Sequence, residues 1–369
     1  MRGPVLITPE GRVIRVPPPS RGSRDSRSSS LRERGAATVG GCWLVAIFMG
    51  SSITAWSAPS NAVAPETVVL VPAPRAPKEL ESFQPRPART TFEAQLVLAR
   101  RAISPGSLDG VMGPQTRAAL RAFQAIEHLA TNGLLDGATK ARLLLTAPPL
   151  TTYQIASNDL ARLTPVGSTW LAKSQQERLE YANLLELVAE RAWSHPKLLR
   201  NLNTNVDWAH PTVGMIVTIP NVQFPSANGE AASIRISLSE RLLTAFDAST
   251  NLLAHFPCSI ARLVENRPLG QLSVLLIAAD PTYRFDPAMF PDSIEGRELG
   301  RPLTIPPGPN NPVGNAWIGL DRPGYGIHGT PEPENVGRTE SRGCFRLSNW
   351  NALYLARLVR PGTTVIVEP

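Results

Sequence analysis

Ser233-Ile234-Arg235-Ile236-Ser237-Leu238-Ser239 alternates polar and apolar side chains with a period of two. On a pleated strand that spacing puts Ile234, Ile236 and Leu238 on one face and the polar residues on the other. Toward the C-terminus, residues 242–246, 252–256, 274–279, 316–320 and 363–367 are further short apolar runs, separated by turn formers such as Asp247-Ala248-Ser249-Thr250-Asn251. Several short strands with few helices predict a mainly-β sandwich or barrel over residues 233–369. Trp350, Leu353, Tyr354 and Leu358 recur at i, i+3, i+4 and i+8, which predicts one helix packed on that sheet.

Residues 151–222 read differently. Tyr153-Gln154-Ile155 opens a strand, 179–191 a helix with Leu184, Leu187 and Val188 on one side, 198–203 a second helix, and 213–220 a closing strand. This α+β order resembles a stretched LysM module, a glycan-binding unit, with residues 164–176 as an insertion that departs from the compact spacing. A spacer that positions the following domain is the alternative. Farther upstream, residues 91–147 turn helical, with Phe92, Leu96, Ala99 and Ile103, then Thr116, Ala119, Leu120 and Phe123, at helical spacing. Within them Leu108-Asp109-Gly110-Val111-Met112-Gly113-Pro114-Gln115-Thr116, then Ala119-Leu120-Arg121-Ala122-Phe123-Gln124 and Gly133-Leu134-Leu135-Asp136-Gly137, resemble the small all-α, three-helix peptidoglycan-binding domain.

The remaining N-terminal residues carry no fold signal. Residues 59–90 hold seven prolines and little periodicity, which reads as an extended linker. Residues 36–58 are apolar and uncharged and follow an Arg-rich run over 1–35, so they read as a signal peptide or an uncleaved single-span anchor. The formal charge of +7 is concentrated there: residues 1–35 carry eight Arg against Glu10, Asp25 and Glu33, and the body is nearly neutral. A nearly neutral body without a basic stripe interleaved with aromatics argues against nucleic-acid binding. Three cysteines, one of them inside the export segment, are too few for a disulfide scaffold.

Chemistry concentrates in Tyr325-Gly326-Ile327-His328-Gly329-Thr330 and Ser341-Arg342-Gly343-Cys344-Phe345-Arg346-Leu347-Ser348-Asn349. A thiol becomes a nucleophile only on losing its proton, so Cys344 needs a base, and His328 is one. Arg342 and Arg346 flank Cys344 and would favour the thiolate. Gly343 lets a substrate approach the backbone, and its amide with that of Cys344 could hold a carbonyl oxygen as it gains charge. Ser341 and Gly329 complete the polar set, while Tyr325 and Trp317 are candidates to line the cleft. Each residue alone has a plainer reading, since a lone cysteine is usually a small buried hydrophobe, and Cys258 fits that description. His328 and Cys344 lack the further Cys or His that a tetrahedral zinc site needs.

The same segment resembles the YkuD-type L,D-transpeptidase catalytic domain, whose signature is a His followed by Ser/Thr-His/Arg-Gly-Cys and a polar residue two places on: here His328, Ser341-Arg342-Gly343-Cys344 and Arg346. The resemblance extends upstream through Arg267-Pro268-Leu269-Gly270, Asp280-Pro281-Thr282-Tyr283 and Asn310-Asn311-Pro312-Val313-Gly314. It implies an exported, periplasmic or cell-envelope enzyme that needs no cofactor. Cys344 would attack the stem-peptide carbonyl between the diamino acid and D-Ala of peptidoglycan, with His328 as base and the Gly329 carbonyl orienting its ring. The implied partners are the stem-peptide donor and acceptor and the glycan strands, with an anchored envelope protein as another acceptor. Water as acceptor would make the enzyme an L,D-carboxypeptidase or amidase, and a catalytically silent wall tether is the alternative from a different class.

Overall fold

A computed structural model describes Val5–Ile7, Val13–Arg15 and residues 83–369 apart from 228, 291, 292, 340 and 342. The expected export segment, 36–58, and most of the expected linker lie outside those residues. Strands β1 (Val5–Ile7) and β2 (Val13–Arg15) pair antiparallel within a first unit, Met1–Ala76. Everything below belongs to a second unit, Pro77–Pro369.

The helical module is closed by its own two ends. Strand β3 (Arg86–Pro87), inside the stretch read as linker, pairs with β4 (Leu144–Leu145) around α1 (Thr91–Arg100), α2 (Pro114–Ile126) and α3 (Gly137–Arg142). Thr90 and Asp136 cap α1 and α3 by accepting from the amides of Glu93 and Thr139, and Pro114 sits in the first turn of α2, where its missing N–H costs nothing. Leu96, Leu98, Leu120, Phe123, Leu143 and Leu145 are fully buried between them. Two buried glutamines tie down the turns that carry the motif: Gln95 Oε1 accepts from the Gly110 amide and Gln124 Oε1 from the Gly133 amide, each at 2.8 Å.

In the middle segment β5 (Leu150–Gln154) pairs antiparallel with β6 (Ile216–Pro220). Between them run α4 (Ser157–Ala161), α5 (Trp170–Ser174), α6 (Leu184–Arg191) and α7 (Pro196–Leu202). Helix α6 starts five residues later than its periodicity predicts, because Asn183 Oδ1 accepts from the Glu186 amide and fixes the first turn there. Leu179 is instead extended, buried in a separate cluster with Phe285, Leu303 and Ile305.

The C-terminal domain is mainly β. Strands β7 (Ser233–Ser237), β8 (Leu242–Phe246), β9 (Leu252–Pro257) and β10 (Gly270–Ala279) lead to a small pair, β11 (Tyr283–Phe285) and β12 (Leu303–Ile305), around α8 (Ile294–Leu299). Then come β13 (Ala316–Leu320), β14 (Gly326–His328), β15 (Phe345–Arg346), α9 (Asn349–Leu358) and β16 (Thr364–Glu368). The main sheet has the order β15-β14-β13-β10-β16-β7-β8-β9, with β14–β15 and β16–β7 parallel and the rest antiparallel. Ser259, just past β9, exchanges both backbone hydrogen bonds with Arg346 of β15 at 2.9 and 3.0 Å, so the two ends of the sheet meet as in a barrel. Ile234, Ile236, Phe256, Ile318, Phe345, Val365 and the α9 residues Ala352, Leu355 and Leu358 share one core.

Both upstream segments are seated on this domain. The helical module pairs backbone with β9 (Ser104 N–H to His255 O, 2.8 Å; His255 N–H to Ala102 O, 2.9 Å), and Gln115 Nε2 donates to Val336 O at 2.6 Å. The insertion between α4 and α6 clasps the small strand pair: Trp170 stacks on Phe285 at 4.3 Å, and the Leu171 amide donates to Glu295 Oε1 at 2.9 Å. Leu179 exchanges backbone bonds with Pro307 and Asn310, and Arg178 pairs with Asp280 at 2.6 Å.

Candidate active site

Three neighbouring strands assemble the polar cluster. His328 ends β14, and the parallel register sets it opposite Arg346 of β15, while Trp317 of β13 faces it on the other side. The Trp317 and His328 rings stack with centroids 5.6 Å apart and 22° between planes. Cys344 lies in the bend directly before β15, two residues from Arg346, with Gly324 and Gly326 beside its thiol.

The bend is held from below. Ser341 bonds through its amide to Ile260 O and through its carbonyl to the Arg262 amide, and its hydroxyl donates to the Cys344 carbonyl. The Gly343 amide donates to Ser341 Oγ at 3.2 Å, so in this state it is used inside the loop rather than aimed at a substrate oxygen. Tyr325 faces Gly343: a Cβ added there would lie 3.5 Å from the tyrosine ring, over which Arg322 also sits, 4.5 Å from its centroid. Arg342 lies outside the described residues. Arg346 is half-buried, and its Nε has no hydrogen-bond partner among the described residues.

His328 is 4% exposed, and its Nδ1 lies 2.6 Å from Gly329 O. A carbonyl only accepts, so that contact assigns the proton to Nδ1 and leaves Nε2 as the basic nitrogen. Burial pushes the imidazole down to about 4, with the Arg346 charge acting the same way and the Gly329 bond opposing. Burial likewise pushes the Cys344 thiol up, against a backbone contact from Gly326 and the Arg346 charge. Thiol and imidazole therefore rest neutral at pH 7. Cys344 Sγ is partly exposed, 3.5 Å from Gly324 O, whereas Cys258 is fully buried in the domain core and its thiol is pushed far up by burial, against a backbone hydrogen bond from Arg346.

Two residues that sequence reasoning gave no role stand behind the histidine. Asn349, at the start of α9, donates from Nδ2 to Glu190 Oε2 of α6 at 2.8 Å and to Pro309 O at 3.2 Å. Burial pushes the Glu190 carboxyl up to about 7, against hydrogen bonds from Asn349 and Tyr181. Asn349 was visible in the motif; Glu190 carried no signal, since it lies 159 residues away in the chain.

The mainly-β sheet thus carries a histidine at the end of one strand and a cysteine in the bend that enters the next, with the helical module paired to β9. Residues 231–367 match the family model described as "L,D-transpeptidase catalytic domain" (YkuD), and residues 91–143 match that described as "Putative peptidoglycan binding domain". Over residues 231–367 the chain is therefore similar to the YkuD-type L,D-transpeptidase catalytic domain. It is similar to "Putative L,D-transpeptidase YkuD" of Bacillus licheniformis, 25% identical over 185 residues that span 50% of this chain and 93% of the relative. It is also similar to "Putative L,D-transpeptidase YqjB" of Bacillus subtilis, 36% identical over 105 residues, 27% of this chain and 51% of that one. The solved structure of L,D-transpeptidase 3 from Mycobacterium tuberculosis aligns with 43% of this chain and 77% of its own, at 17% identity and a TM-score of 0.31.

Proposed function

We propose that this chain is an exported cysteine L,D-transpeptidase acting on peptidoglycan stem peptides. The observation that carries the reading is the 2.6 Å contact of His328 Nδ1 with Gly329 O, which leaves Nε2 as the base on the strand beside the Cys344 bend. Because thiol and imidazole both rest neutral, the proton moves from Sγ to Nε2 as sulfur attacks the carbonyl between the diamino acid and D-Ala. The imidazolium then gives that proton to the D-Ala nitrogen, the C–N bond breaks, D-Ala leaves, and the acyl group stays on Cys344 as a thioester. An acceptor amine loses a proton to Nε2 and attacks the thioester, and Sγ departs carrying the proton. A second stem peptide as acceptor gives a three-to-three cross-link; an amine of an envelope protein gives anchoring. Export is supported by the uncharged apolar run 36–58, and the wall as substrate by the helical module, which would raise the local concentration of stem peptides.

The test is intact-mass analysis of the protein incubated with a muropeptide tetrapeptide, with and without an acceptor amine. Wild type is expected to gain an acyl adduct and release D-Ala, and Cys344→Ala to do neither. Turnover that survives in Cys344→Ala would sink the thioester reading, and trimming without transfer in the presence of amine would reassign the acceptor to water.

A further inference from the structure

The carboxyl group of the half-buried Glu190 faces the catalytic domain, and among the described residues no cation forms a salt bridge with it. A carboxylate withdrawn from water without a cation is a poor device for stability alone. What surrounds it are donors: Tyr181 O–H at 3.1 Å, Asn349 Nδ2 at 2.8 Å and Asn315 Nδ2 at 3.5 Å. Oε2 accepts from Asn349 whether the group is ionised or carries its proton on Oε1, and so it decides which way the Asn349 amide faces. With Nδ2 committed to Glu190 and to Pro309 O, Asn349 Oδ1 is turned toward the Asn315 amide, which donates to it at 3.2 Å. That oxygen rests directly on the backbone of Gly314 and Gly329, where a Cβ at either position would collide with it. Gly329 is the residue whose carbonyl holds His328 Nδ1.

We propose that Glu190, supplied by the middle segment, is a positioning residue for His328: it fixes Asn349, which fixes the Gly329 peptide that holds the imidazole. This rests on the reading of His328 as the base. A side chain at Gly329 or at Gly314 would displace Asn349, which explains why glycine closes the contact at both positions. The middle segment thereby takes part in the reaction without touching substrate.

The experiment compares full-length wild type with Glu190→Leu, which keeps volume but offers no acceptor, and Glu190→Gln, which keeps one carbonyl for Asn349 while the Tyr181 hydroxyl turns to accept from the new amide. Three quantities are read: the thermal midpoint, kcat and KM for D-Ala release from the tetrapeptide, and the downfield Nδ1 proton resonance of His328, identified by its loss in His328→Gln. Glu190→Leu is expected to lower kcat about 10- to 100-fold, the scale of a sub-ångström misplacement of a reacting group, with KM within about two-fold. The His328 resonance should shift or broaden, and Glu190→Gln should restore most of both. A folded Glu190→Leu with wild-type resonance and kcat overturns the proposal. So does a loss of activity that only follows the loss of folded protein and that Glu190→Gln does not relieve. If the resonance moves while kcat stays, Glu190 does position His328 and it is the role of His328 as base that fails.

Discussion

Two imidazoles are buried in this domain, and they differ in one bond. His328 Nδ1 has the Gly329 carbonyl, whereas His255 Nδ1, buried beneath the helical module, has no partner among the described residues. Burial holds both at about 4 against an ordinary 6.5. The unfolded chain therefore takes up protons first on acidification, so the stability these residues support is whole above pH 6.5 and is lost as pH falls toward 4. Each is linked to roughly 3 kcal/mol across that window. Glu190 runs the other way: its carboxyl, raised from 4.5 to about 7, favours the fold less as pH rises through that range. Two groups outweigh one, and acid destabilisation wins. His255→Leu should cost little at pH 7, where no hydrogen bond of its Nδ1 is lost, and should shrink the drop in urea midpoint between pH 7 and pH 4.5. An unchanged drop would show that His255 does not titrate in this window. At this scale Cys344 and His328 were legible because nucleophile and base sit within one short stretch of chain. Glu190 was not, because a single acid on an amphipathic helix reads as surface until a distant element is folded over it.

The elements that carry the site are short, and their shortness decided what could be read. Strands β7, β8, β13 and β16 have five residues each, enough for alternation to show. Strands β14 and β15 have three and two, and no period can be read from two residues, so the site's own strands were seen as motif and not as structure. Helix α6 was misplaced at its start although Asn183, a good cap, stood in the sequence, because Leu179 continued the apolar spacing for a different reason: it packs with Phe285. The clasp around that pair gives a prediction at this scale. Trp170 stacks on Phe285 and also meets Tyr283 and Phe290, so Trp170→Ala should cost about 2 kcal/mol, below the range for a fully buried aromatic. It should also free the segment around α8, read as faster proteolytic cleavage between residues 286 and 300. Unchanged cleavage would mean that β11 and β12 hold the segment without the tryptophan.

Within the second unit, the helical, middle and catalytic parts pack against one another. Trp193 beside α6, Phe224 in the connection to β7, and Tyr354 of α9 form a run of rings, with centroids 3.9 and 4.8 Å apart, that crosses from the middle segment into the catalytic domain. Trp350 of α9 is buried in the core of the helical module. Residues 231–369 alone would lack Trp193 and Phe224, expose Trp350 and Tyr354, and leave Asn349 without Glu190. Calorimetry of the full chain should therefore show the helical, middle and catalytic parts melting in one transition, and residues 231–369 alone should melt lower or fail to fold. Independent transitions would mean that the contacts between parts contribute little. Sequence reasoning read these parts as modules joined in series, which composition and motifs support; the joining surfaces are single residues from each part and leave no pattern along the chain.

The sheet order has a consequence for how the domain forms. Strand β16 lies between β10 and β7, so without it β7 to β9 and the β10, β13, β14, β15 ribbon are joined, among the described residues, by the Ser259–Arg346 and Ala261–Ser341 bridges and by no longer ladder. Each ribbon waits with one open edge for a strand made at the far end of the domain, a long-range closure that slows folding and leaves pairing-prone edges in the interval. His328 and the Cys344 bend both belong to the second ribbon. The chemistry is thus laid out on one half of the sheet, and that half is completed by a strand, β16, that pairs with neither site strand.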